Sequence, residues 1–294
     1  MVSITRALRQ IKDDLATYLS AAFVESICRE VGHHWRDRVL DPVTTIHLFI
    51  LQILHGNTAC SHLRHLASEA FSAAAYCQAR SRLPLEVIKT LVSRIGARMQ
   101  QAAAHTGLWM GHRTILIDGS SFSMPDTVTV RELRYRIEAP GYRPGEITLV
   151  TTLLNAETYT AEDLAELYQA RWAVETSFGH LKTTMRMEKL HCKSVAGVMK
   201  ELWMFALVYN LVRMVMLEAA RRQNVAMDRI SFVDALRWLA AAPAAATLPA
   251  LVVNPLRPNR IEPRVVKRRP KSHKLMTKPR AVFRKELELR RKSA

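Results

Sequence analysis

Apolar positions recur at helical spacing through most of the first hundred residues. Leu8, Ile11, Leu15 and Leu19 mark a first amphipathic stretch. The run DPVTTIHLFILQILHG follows, with Pro42 where a helix tolerates a missing N–H and Gly56 just past its end. NTACSHLRHLA opens on Asn57 or Thr58 as N-cap, and SAAAYCQARSRLP opens on Ser72. Two short helices across a brief turn resemble a helix-turn-helix, with Tyr76, Gln78, Arg80 and Arg82 available to a DNA groove. An ordinary helical bundle with a polar outer side fits the same pattern.

The period then changes. RTILID, residues 113–118, reads as a short buried strand ending in Asp118. Val128, Val130, Leu133, Tyr135 and Ile137 alternate as a second strand, bulged after Val130. APGYRPGE is a Gly- and Pro-rich turn, and ITLVTTLL from Ile147 completes a hairpin. Helical spacing returns from Ala161. Thr160 with Asp163 three residues on is a capping-box variant. Another helix spans Ala196 to Arg222; its apolar part, 202–217, is short for a membrane span and holds Asn210 and Arg213, so a core helix is expected.

On a wheel of 3.6 residues per turn, Tyr168, Arg171, Glu175 and Lys182 fall within an arc of about 60°. Leu167, Val174, Phe178, Leu181 and Met185 form an apolar stripe beside them, and Glu162, Glu166 and Gln169 lie on the solvent side. A carboxylate at the edge of a buried stripe is partly shielded, which favours metal binding. Arg and Lys on the same strip can hold phosphates, the one by a planar fork and the other as a point charge. The strip is about 21 Å long, enough to follow several nucleotides. A solvated face carrying an Arg171–Glu175 ion pair of about 0.3–0.5 kcal/mol is the plainer alternative.

Composition sharpens this picture. The 294 residues hold 43 Lys and Arg against 26 Asp and Glu, a net charge of +17, which points to polyanionic partners. Residues 256–294 alone carry 15 Lys and Arg against 3 Asp and Glu, so most of the basicity is a tail, suited to nonspecific phosphate contact or simply solvated. Cys28, Cys60, Cys77 and Cys192 form no CxxC pair, which argues against a zinc ribbon or a disulfide framework and suits a reducing cytosol. The histidines of the first half, His62 and His65 among them, lack acids or thiols at ligand spacing. MVSITRALRQIKDDL has charges where a secretion signal needs an apolar core.

Tyr168-x2-Arg171-x3-Glu175-x6-Lys182 resembles the YREK motif of the IS4-family insertion-sequence transposases, a branch of the DDE transposases. LIDGSSFSMPDT around Asp118, VRELRYRI, AEDLAELYQARW, KTTMRMEKLHCKS and KELWMFALVYNLVR are similar to that family as well, over about Ala7 to Arg222. The resemblance implies an α+β, mostly helical fold. An N-terminal helical and DNA-binding domain would span 1–110, an RNase H-like catalytic domain 111–222, and a linker with a basic, partly disordered tail 223–294. It implies DNA strand cleavage and transfer with Mg²⁺, DNA as partner with self-association left open, no membrane, and a place in the cytoplasm at the nucleoid. Asp118 and Glu175 would be catalytic metal ligands, and Tyr168, Arg171 and Lys182 would grip the DNA backbone.

One part of the family pattern is missing. The family carries a second aspartate on another core strand between the first Asp and the hairpin, and here only 56 residues separate Asp118 from Glu175. The hairpin uses most of them, and a parallel crossover alone needs a dozen or more. An internal deletion with its seam near Thr127 is the expectation. Asp126, Glu132, Glu138 and Asp163 are the nearby acids, none on a core strand. Three functions remain open at this point: an end-binding transposase defective in cleavage, an active enzyme using a displaced carboxylate, or a poorly folded remnant.

Overall fold

The computed structural model describes residues 19–67, 70–102, 108–115, 129–137, 145–241, 247–255 and 280–292. The amphipathic stretch before Leu19 lies outside them. Two compact units are formed, one from Met1–Arg131 with Thr151–Arg257 and one from Glu132–Val150 with Pro258–Ala294.

In the first unit α1 (Ala21–Glu30) is capped by Ser20, whose hydroxyl accepts the Phe23 N–H at 3.2 Å. Helix α2 (Pro42–Leu54) starts as its sequence predicts, with Pro42 at the first position and Asp41 accepting the Thr44 N–H at 2.6 Å. It is apolar on nearly every side because it runs through the core. Gly56 ends it in the left-handed region at φ +68°, and Asn57 follows at φ +54°. A Cβ on Gly56 would meet Arg186 Cδ at 3.2 Å. Gly56→Ala is therefore expected to cost about 1–2 kcal/mol from backbone conformation alone, read as a lower urea midpoint.

Next come α3 (Cys60–Leu63), α4 (Ala73–Arg82) and α5 (Leu85–Ala102). Ser72 caps α4 as expected, accepting the Ala75 N–H at 3.1 Å. Two expectations need correcting. Neither Asn57 nor Thr58 caps α3; Ala59 occupies that position without a side-chain bond, because the Asn57 side chain turns inward to Lys189 O and Glu201. Residues 113–115 are exposed and outside any strand, with Ile115 67% exposed, so the first half of RTILID is not a buried strand. Its second half, with Asp118, lies outside the described residues.

Helices α6 (Ala161–Gln169) and α7 (Trp172–Gly179) lead through a π turn (His180–Thr184) to α8 (Val195–Gln223). Ser194 caps α8, and Asn224 closes it in the left-handed region at φ +52°. A 3₁₀ turn (Met227–Arg229) and α9 (Phe232–Ala241) follow. Helix α8 packs on α5, α9 and α2, and its Met204, Phe205, Leu207, Val208, Leu211, Val212 and Val215 are all buried. The one described helix long and apolar enough to cross a membrane is thus the centre of this unit's core.

The second unit holds most of the hairpin, β1 (Arg131–Ile137) paired with β2 (Gly145–Thr151), in register with the predicted alternation. It also holds α10 (Arg280–Lys292), an ordered helix within the basic tail.

Candidate functional site

The strip predicted to carry the chemistry begins at a well-made helix start. Thr160 Oγ1 accepts the Asp163 N–H at 3.2 Å and donates to Asp163 Oδ2 at 2.6 Å. Leu164 of α6 is buried, while Glu162, Glu166 and Gln169 face solvent as expected.

One continuous α-helix was expected from here, and the structure corrects that. Between α6 and α7 the chain tightens. Ala170 and Arg171 N–H groups reach Leu167 O and Tyr168 O at 3.1 Å, and Ala173 and Val174 reach Ala170 O and Arg171 O at 3.0 Å. These i→i+3 bonds keep the helical sense, since Ala170 and Arg171 both stay in the right-handed region. After Gly179 the chain loosens into the π turn, where the Met185 N–H donates to His180 O at 2.8 Å.

Tyr168, Arg171 and Glu175 therefore stay together. The Arg171 guanidinium lies 5.5 Å from the Tyr168 ring centroid, and its Nη1 is 3.6 Å from Glu175 Oε1. Lys182 sits on the π turn with Nζ 5.3 Å from the Phe178 ring. The strip is more open than its wheel position suggested: the Glu175 side chain is 46% exposed and Arg171 29%. An exposed pair at this spacing adds roughly 0–1 kcal/mol, so it does little for stability. The apolar stripe is graded, with Met185 buried, Leu167, Val174 and Leu181 half-buried, and Phe178 exposed.

Asp118, Asp126 and Glu138 lie outside the described residues. The other two acids weighed as substitutes have local partners, Glu132 with Arg134 at 2.6 Å and Asp163 in its cap. Carboxylate oxygens are the donors Mg²⁺ prefers, and Glu175 is exposed enough to reach an ion. It is also paired to a cation, and among the described residues no group of three His, Cys, Asp or Glu could hold a metal. The described residues do not make up a two-ion site.

The sequence reading missed a buried polar cluster beneath α4. Tyr76 and Arg80, expected to face a groove, are 0% and 8% exposed; only Gln78 and Arg82 of that set are open to solvent. The Tyr76 hydroxyl and Arg80 Nη1 both donate to Gln52 Oε1 at 3.0 Å. Arg80 lies 3.8 Å over the Phe49 ring, with Nη2 3.0 Å from Cys192 Sγ. Cys60 and Cys77 are free thiols 3.6 Å apart, and burial pushes Cys60 up to about 11. Lys200 Nζ donates to Arg80 O and Ser81 O at 3.0 and 2.7 Å. Fully buried Glu201 accepts from the His191 and Cys192 N–H groups, both at 3.0 Å, and from Asn57. Burial pushes the Glu201 carboxyl up, but these hydrogen bonds outweigh it and hold it below the usual carboxylate range. Arg80 lies in the last turn of α4 and Lys200 in the second turn of α8, where a charge is ordinary, so neither signals the cluster locally.

The comparisons with known proteins take in the stretch that holds the strip. Residues 79–211 match the transposase DDE domain family, which generally uses a divalent metal. Over that stretch the chain is similar to the DDE transposases, and it is similar to transposases of the IS4 type. It is 30% identical over 148 residues to the transposase InsG for insertion sequence element IS4 of Escherichia coli (strain K12), covering 44% of this chain and 34% of that protein. It is 33% identical over 88 residues to the probable transposase for insertion sequence element IS5377 of Geobacillus stearothermophilus, covering 30% and 22%. The matched stretches thus span about a third or less of the length of these relatives. No solved structure matches.

Proposed function

We propose that the chain acts in DNA transposition as a truncated IS4-type transposase that binds insertion-sequence ends without cutting them. In this reading residues 1–110 supply DNA-binding helices, 111–222 are the shortened RNase H-like catalytic part, and 223–294 are linker and basic tail, with the protein at the nucleoid. Asp118 and Glu175 are the acids left of the catalytic set, and Tyr168, Arg171 and Lys182 meet the DNA backbone.

The placement of β1 supports the cleavage defect. It starts at Arg131, with twelve residues between it and Asp118, and no strand follows β2 before α6 begins at Ala161. A core strand of five or six residues with its crossover does not fit in that interval. Two-metal hydrolysis needs ions roughly 3.5–4 Å apart held by fixed ligands, and two carboxylates do not supply them.

The test is a binding and nicking assay on DNA bearing the sequences that flank the gene. Binding is expected to weaken as salt rises, with a slope of about −0.9 per phosphate neutralised. No nicking is expected with Mg²⁺ or Mn²⁺. Arg171→Ala should lower the affinity, and Glu175→Gln should leave both readings unchanged. Metal-dependent nicking that Glu175→Gln abolishes would show a working enzyme with a displaced ligand.

A further inference from the structure

A cavity of about 290 Å³ lies on the first unit where the loop between α1 and α2 meets the end of α4. His33, Trp35, Arg36 and Arg38 line one side and Arg82 the other, with Ala79 and Leu83 among the remaining lining residues. The His33 and Trp35 rings stack at 6.1 Å with 27° between their planes, and Arg29 sits 5.7 Å from the Trp35 ring. The loop is held by its ends: the His33 N–H donates to Cys28 O at 2.8 Å, and Asp41 opens α2.

Its charge is one-sided. Arg36, Arg38 and Arg82 are exposed, and among the described residues none makes an ion pair or hydrogen bond. Asp41 is the one acid in the lining, and its carboxylate already accepts the Thr44 N–H. Three unpaired guanidiniums around one concavity repel one another unless an anion joins them. Their planar forks suit phosphate oxygens, and the ring pair gives an apolar wall beside them. This loop lies outside the residues that match the DDE domain family.

We propose that this cavity takes a phosphodiester segment of a DNA strand, its phosphate oxygens met by Arg36, Arg38 and Arg82 and its less polar side lying along His33 and Trp35. The inference rests on the DNA-binding reading above and adds a contact surface to it. DNA is favoured over a free small phosphate because the cavity is open and its cations are exposed. A backbone that brings consecutive phosphates suits such an arrangement.

The test uses the full chain, a labelled random-sequence duplex of about 20 base pairs, and the triple variant Arg36→Gln, Arg38→Gln, Arg82→Gln. All three side chains are exposed, so the variant should keep its circular dichroism and its Tm. The slope of log affinity against log salt should become shallower by about 2.7, three phosphates at about 0.9 each. A triple Arg→Lys variant should keep most of the slope. Wild-type binding with an unchanged slope in the Gln variant overturns this inference alone. Tight inorganic phosphate binding that the Gln variant loses, with its DNA slope unchanged, assigns the cavity to free phosphate and overturns it too. A wild-type chain that binds no DNA overturns both the inference and the function it rests on.

Discussion

Glu201→Ala is expected to lower the unfolding free energy by about 3–5 kcal/mol, enough to unfold a domain of ordinary stability on mild heating. The Glu201 carboxylate sits at 0% exposure and accepts from Asn57 and from the N–H groups of His191 and Cys192. Truncation removes the acceptor of the partly buried His191 and Cys192 N–H groups and leaves the buried Asn57 amide with Lys189 O alone, each loss costing up to about 1–3 kcal/mol before relaxation. It also strips the cluster of its anion, while Arg80 and Lys200 remain at 8% and 9% exposure. Urea unfolding followed by far-UV circular dichroism measures the loss. A change under about 1 kcal/mol would mean that water reaches these donors and the cluster is not the closed network described. Glu201→Gln should fall between, because its amide keeps an acceptor but turns an N–H₂ toward other donors.

The same carboxylate sets an acid limb. Its folded pKa lies below the ordinary 4.5, so the unfolded chain takes up the proton more readily. The stabilisation is complete above about pH 4.5 and is lost as the pH falls through the folded value. His180 adds an earlier, shallower decline of the same sign. Burial, with Arg213 nearby, lowers its pKa from 6.5, and its ring stacks on Phe232 at 4.0 Å and 5°. Below pH 6.5 the unfolded histidine protonates while the folded one resists.

What could be read from the chain follows the range of the forces involved. Caps and turns act within three or four residues, so Pro42, Ser72 and Thr160 with Asp163 stood where their side chains predict. The hairpin and α8 were equally plain, because alternation and a long apolar run are local patterns. Arg80 was misplaced because its partners Gln52 and Cys192 lie 28 and 112 positions away, and nothing in AAAYCQARSR gives a buried face. Asn57 looked like a cap because its usual local role is capping, and a carboxylate 144 residues on claimed it instead. On the candidate strip the residue types fixed its members, and Tyr168, Arg171 and Glu175 do meet. The tightening at Ala170 and the π turn under Lys182 were invisible, since a wheel assumes one period throughout.

Phe205→Ala should cost about 3–5 kcal/mol and leave the protein in the soluble fraction. Helix α8 has the length and apolarity of a membrane span, and composition alone does not separate that role from a core helix. The two roles differ in what a large side chain touches. Phe205 at 0% exposure is enclosed between helices, with Met204, Val208 and Val212 equally shut from solvent, so its removal leaves a cavity that packed neighbours only partly fill. Facing lipid, the same truncation would be filled by acyl chains and cost far less. The charges agree with the core role: Lys200 and Glu201 are held by named partners within the first two turns of α8, and Arg213 lies mid-helix. A loss below about 1 kcal/mol, with the chain sedimenting with membranes, would reassign α8 and detach the whole first unit from the core described for it.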